Sequence, residues 1–89
     1  MDSKPPVDTD LIDDAALALL FLGAFQRHPS SGALRAWKSF DWGVMGRLHE
    51  KELIYDPVNK AKSVWLTEEG VKRAEVVFDQ LFRRPERGA

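Results

Sequence analysis

Ten apolar residues and one glycine fill the eleven positions from Ala15 to Phe25. Asp8 or Asp10 can cap a helix ahead of this run, and Asp13 and Asp14 fall in its first turn, where the helix dipole favours negative charge. A helix is therefore predicted from about Leu11 to Gln26. Its apolar side chains cover every face, and a helix apolar all round is buried all round. Eleven residues fall well short of the roughly 20 that a membrane span needs. A chain of 89 residues has little else with which to enclose such a helix. The excess apolar surface predicts a second subunit.

The rest of the chain divides at its breakers. Residues 1–7, with Pro5-Pro6, read as a disordered lead-in. The cluster His28-Pro29-Ser30-Ser31-Gly32 ends the first helix. Residues 28–40 stay open between a strand, a short helix and a loop. Asp41 caps a central helix, Trp42 to Lys51, that carries Val44, Met45 and Leu48. Gly43 and Gly46 weaken that helix by up to about 1 kcal/mol each relative to alanine. Leu53-Ile54-Tyr55 and Ser63 to Leu66 read as the two strands of a hairpin, with Asp56-Pro57 opening its turn. Thr67 caps the last helix, with Gly70 standing where a capping box would hold Glu or Gln. That helix runs to about Arg83, with Val71, Ala74, Val77, Phe78, Leu81 and Phe82 as a wide apolar stripe. Pro85 stops it, and residues 85–89 read as a frayed tail. The element order is that of the second half of a winged helix, and the expected fold is one small winged-helix-like α+β domain over residues 8–84: N-terminal helix, central helix, short β-hairpin, long C-terminal helix. The expected core is Leu19, Phe21, Leu22, Trp42, Leu48, Leu53, Val64, Leu66, Val71, Phe78 and Leu81.

Chemistry is sparse. With no cysteine, the chain has neither disulfides nor a thiolate metal site. His28 and His49 lack a nucleophile at a spacing that local structure would bring near, and His49 with Glu52 falls short of the four ligands of structural zinc. No glycine-rich phosphate loop follows a strand. The expectation is no catalysis, no cofactor and no metal. The opening Met-Asp-Ser-Lys-Pro-Pro lacks the apolar centre of a secretory signal, and a cytoplasmic location is expected.

Charge is uneven. Residues 1–20 hold five acids against Lys4, a balance of −4; residues 21–89 hold twelve bases and nine acids, a balance of +3. A nucleic-acid surface would rest on Arg47 and Lys51, one turn apart on the central helix, on Lys60 and Lys62 near the hairpin tip, and on Arg35 and Lys38 beside them. Glu50, Glu52 and Asp56 oppose it, and the Asp41 cap occupies the amide groups that would bind phosphate. Trp37, Trp42 and Trp65 read mainly as core, with Trp65 or Trp37 as the exposed one on a partner surface.

The segments Arg35 to Trp42, Arg47 to Lys51, Asp56-Pro57, Lys60-Ala61-Lys62-Ser63 and Leu66 to Gly70 together resemble a small bacterial family known as domain of unknown function 6429. The resemblance covers about residues 9–83 and implies no assigned activity. His28 to Leu34 looks longer than the family's loop. Leu66-Thr67-Glu68-Glu69-Gly70 is also similar to the turn with which winged-helix regulators leave their wing. Those regulators carry a further helix before the recognition helix, and the interval here is too short and too rich in Pro, Ser and Gly to hold one. The expected function is a non-catalytic homodimeric domain with an interaction or structural role, its interface built from Leu17, Phe21, Phe25, Val77, Phe78, Leu81 and Phe82. The alternative is a winged-helix DNA-binding regulator.

Overall fold

A computed structural model describes residues 6–84; the lead-in at 1–5 and the tail at 85–89 lie outside the described residues. Asp8 caps α1 (Thr9–Leu22), its Oδ1 accepting from the Leu11 amide at 3.0 Å. The helix stops at Leu22, four residues before the expected end. The Gly23 amide still donates to the Leu19 carbonyl, but the Phe25 amide donates to the Arg35 carbonyl at 2.9 Å. Strand pairing thus captures the last apolar residues of the run. Gln26 and Arg27 form β1, antiparallel to β2 (Leu34–Trp37). The breaker cluster at 28–32 is the turn between them. His28 Nδ1 accepts from the amides of Ser30 and Ser31, and Gly32 takes a φ of +77°, which glycine adopts without strain.

Asp41 caps α2 (Trp42–Glu50) by accepting from the Gly43 amide at 3.1 Å. After it come β3 (Ser63–Leu66) and α3 (Glu68–Phe82). The strands form one antiparallel sheet in the order β1-β2-β3, with Leu34 opposite Leu66 and Ala36 opposite Val64. On the far edge of β3, Leu53 to Tyr55 contributes a single bridge, Ile54 to Leu66. The fold is α+β, with three helices and a short sheet among the described residues, but in a different order from the expected one. Two of the three strands precede the central helix, and the segment at 53–55 is a bridge rather than a full strand.

Thr67 Oγ1 accepts from the Gly70 amide at 2.9 Å and donates to the Glu52 carbonyl at 2.8 Å, so one side chain caps α3 and ties it to the end of α2. A Cβ on residue 70 would stand 1.8 Å from the Leu53 carbonyl oxygen. That close approach accounts for a glycine where a capping glutamate would otherwise sit.

The core gathers Ala16, Leu17 and Leu20 of α1, Val44, Met45 and Leu48 of α2, and Val71 and Ala74 of α3 on the inner sheet residues Leu34, Ala36, Val64 and Leu66. Four expected core residues lie outside it: Leu19, Leu22, Trp42 and Leu81 are exposed. For the two on α1 the reason is helical phase. The row Asp13, Ala16, Leu17 and Leu20 faces inward, which turns Leu19 and Leu22 to the opposite side of α1.

Candidate interaction surfaces

Two of the six cations expected to meet nucleic acid, Arg47 and Lys51, meet carboxylates of the same chain. Arg47 and Lys51 lie one turn apart on α2 and its C-cap, facing the first turns of α1. Arg47 grips Asp13 with two nitrogens, Nε to Oδ2 at 2.8 Å and Nη2 to Oδ1 at 2.8 Å. Lys51 Nζ bridges Asp13 Oδ2 at 3.0 Å and Asp10 Oδ1 at 2.9 Å. Arg73 of α3 holds Asp14 of α1 at 2.8 Å. The acidic first helix is therefore pinned to both others by their bases. Asp13 has no solvent exposure. Burial pushes its carboxyl up, but the hydrogen bonds from Arg47 and Lys51 outweigh that and hold it below its ordinary value of 3.8. Arg47 is shifted up by its hydrogen bond to Asp13, and Lys51 by its hydrogen bond to Asp10.

The other four candidate cations divide. Arg35 donates through Nε to Ser63 Oγ at 2.7 Å and lies between the rings of Trp65 and Phe25, 5.6 and 5.9 Å from their centroids. Lys38 bonds Asn59 Oδ1 at 3.1 Å beside the Trp42 ring. Lys60 and Lys62 are exposed in the loop before β3, with no side-chain bond among the described residues.

The seven candidate interface residues are also dispersed. Leu17 and Val77 are fully buried within the chain, so their apolar surface already has its cover. Phe21 and Phe78 are half-buried and meet edge to face at 5.9 Å, with Phe82 against Phe78 at 5.6 Å. Phe25, Leu81 and Phe82 are exposed, and Phe25 stacks on the exposed Trp37 at 4.6 Å.

A different face of α1 carries the open apolar surface. Leu11, Ile12, Leu19 and Leu22 are exposed, Leu22 by 64%, and half-buried Ala15 lies between them. Their spacing of one, three, four and three residues, with Ala15 included, sets them in one row opposite the core. No charged residue interrupts the row. Sequence reading missed it because the run is apolar on every side. The signal that resolves the phase is Asp13: a carboxylate three and four residues before Ala16 and Leu17, with bases available on another helix, marks the inward side.

At the C-terminal end of this row a groove of about 220 Å³ opens between α1 and β2, lined by Leu19, Leu20, Gly23, Ala36, Trp37, Ser39 and Phe40. A second groove of about 450 Å³, mostly apolar, lies between α2 and the following loop, against Trp42, Gly46, His49, Asp56, Pro57 and Val58. His49 Nδ1 sits 3.2 Å from the Ile54 carbonyl, which can only accept, so that nitrogen carries the proton. Among the described residues no cluster of three or more His, Cys, Asp or Glu could hold a metal ion, and no helix is long and apolar enough to cross a membrane.

The model of the family described as "Domain of unknown function (DUF6429)" matches residues 8–84. The "Uncharacterized protein y4hR" of Sinorhizobium fredii (strain NBRC 101917 / NGR234) is 51% identical over 78 residues, which cover 88% of this chain and 97% of that protein. No solved structure matches significantly. The match across residues 8–84, together with a relative of which the aligned stretch covers 97% at 51% identity, places the chain in the family of the domain of unknown function DUF6429.

Proposed function

We propose that this protein is a non-catalytic interaction domain that works as a homodimer, joined through the outward face of α1. The observation that carries the reading is the charge-free row Leu11, Ile12, Ala15, Leu19 and Leu22, left open on a helix whose opposite side packs on the core through Ala16, Leu17 and Leu20. Four large aliphatic side chains in one row form a contiguous patch, and such patches mark interfaces. A two-fold axis would cover both copies of the row at once. The two histidines fit a structural role, each engaged by the backbone through Nδ1.

DNA binding is the weaker reading. Arg47 and Lys51 are the pair a recognition helix would offer, and both are held by Asp10 and Asp13. Releasing them to phosphate would leave the buried Asp13 without its counter-charges.

Light scattering at low micromolar concentration tests the dimer. The expected mass is about twice the 10.1 kDa of one chain. Leu22→Asp should return the protein to the single-chain mass with its helical content intact, because Leu22 is exposed within one copy. A wild-type mass near 10.1 kDa would overturn the reading.

A further inference from the structure

We propose that the solvent face of the sheet is a docking strip for a single strand of nucleic acid, whose bases stack on Trp37, Phe25 and Trp65 while its phosphates meet the cationic side chains around them. This goes beyond the homodimer reading and uses neither the outward row of α1 nor the cations of α2. Three observations carry it.

The first is a line of rings. Leu34, Ala36, Val64 and Leu66 point into the core, so strand alternation turns Arg35, Trp37, Ser63 and Trp65 to the opposite face. Arg35 stands opposite Trp65, and Trp37 opposite Ser63. Side-chain contacts extend this face in one direction. Trp37 stacks on Phe25 at 4.6 Å, the Arg35 guanidinium lies 5.9 Å from the Phe25 ring and 5.6 Å from that of Trp65, and Trp65 meets the His28 ring at 5.8 Å. Tyr55 closes the line in a hollow of about 360 Å³ that it shares with Trp65 and His28. Phe25, His28, Trp37 and Tyr55 are exposed, and Trp65 is half-buried. Aromatic rings and guanidinium planes are the surfaces on which unpaired bases stack.

The second is charge. Residues 15–40 and 57–67, which hold all three strands, contain Arg27, Arg35, Lys38, Lys60 and Lys62 and no acid. Every ion pair among the described residues joins groups on the helices or their caps. The five cations of the sheet side have only neutral partners among the described residues. Arg27 donates to the Gly32 carbonyl, Arg35 to Ser63 Oγ and Gln26 Oε1, and Lys38 to Asn59 Oδ1, while Lys60 and Lys62 have no side-chain bond. The Lys38 amide donates to the Lys62 carbonyl at 2.9 Å, which sets both lysines at the Trp37 end of the strip; Arg27 lies beside His28 at the other end. Asp56, the acid next to Tyr55, turns one oxygen to the Val58 amide at 2.8 Å. Uncompensated positive charge around a line of rings is the complement of a phosphate backbone carrying unpaired bases.

The third is that the strip is already ordered. Arg35 is held by Ser63 Oγ at 2.7 Å and by Gln26, and the His28 ring by the amides of Ser30 and Ser31. Little side-chain freedom is left to lose when a base settles on them. A duplex hides the faces of its bases, and the α2 cations that a major groove would meet are held by Asp10 and Asp13. An acidic peptide would answer the charge but bring no planar partner for the rings.

Fluorescence anisotropy of a labelled oligodeoxythymidylate of about 12 nucleotides, a length within reach of one small single-strand-binding domain, tests the proposal. The wild type should bind it, and the affinity should fall about tenfold between about 50 and 200 mM salt, as about two or three phosphate contacts require. Trp37→Ala should weaken binding at least about fivefold and Trp37→Phe should keep most of it, both variants staying folded by circular dichroism because Trp37 is exposed. Lys60→Glu with Lys62→Glu should weaken binding and flatten its salt dependence. Lys72→Glu with Arg83→Glu makes the same change of net charge at α3 and should leave the affinity within about twofold. No binding of the strand by about 100 µM protein at the lower salt would overturn the proposal, as would tighter binding of the corresponding duplex. Polyglutamate bound as tightly as the strand would assign the face to acidic peptides and overturn it too. So would undiminished binding by Trp37→Ala, or equal losses from the two charge-reversed pairs.

Discussion

Gly46 and Gly70 both sit inside helices, and their surroundings give the same substitution opposite signs. At Gly70 a methyl group would collide with the Leu53 carbonyl, an atom held in place by its bond from the Thr67 amide. At Gly46 a methyl group would have no neighbour within 4 Å. Alanine is worth up to about 1 kcal/mol over glycine in a helix interior, whereas overpacking costs about 1–3 kcal/mol. Gly70→Ala should therefore lose about 1–3 kcal/mol despite the better helix former. Gly46→Ala should gain about 0.5–1 kcal/mol. Urea unfolding of the two variants beside the wild type checks both, and equal effects would show that the contact at Leu53 relaxes freely.

Between elements, the helices are registered by ion pairs as well as by apolar packing. Asp13 is the centre of this arrangement: it is buried, and its partners on α2 are only half so. Its carboxyl is held below 3.8 in the fold and rises to the ordinary value on unfolding. The unfolded chain therefore binds this proton more readily, and the ion pair's contribution is present above about pH 4 and disappears as pH falls through the lowered folded value. Asp13→Asn should lower the melting temperature at pH 7 by at least about 5 °C, the shift that 1 kcal/mol produces in a domain of this size. The gap to wild type should narrow below pH 4 as the wild-type carboxyl is protonated. A gap that stays constant to pH 3 would show that the loss comes from packing rather than from charge. Lys51, shifted upward, works in the other direction: its contribution is present below 10.5 and lost as pH rises past its folded value.

For the whole molecule, association and stability are linked if the outward row of α1 is covered only in the dimer. The thermal midpoint of the wild type should rise with protein concentration between about 1 and 100 µM, and that of Leu22→Asp should not. A midpoint independent of concentration in both would place the folding free energy inside one chain. What was legible in the residues alone is what local rules govern. Thr67 and Asp41 cap their helices as their side chains require, the stretch at 63–66 is a strand, and the apolar run after Asp14 does form a helix. Tertiary structure decided everything that depends on partners distant in the chain. The end of α1 was decided by the Arg35 carbonyl, ten residues beyond Phe25. The role of Arg47 and Lys51 was decided by acids more than thirty residues away. The phase of a helix apolar on every side was decided by which face the sheet and the other two helices could reach. The physical reason is the range of the forces: capping and periodicity act within a turn or two, whereas burial and ion pairing assign a side chain only once the fold has set its neighbours around it.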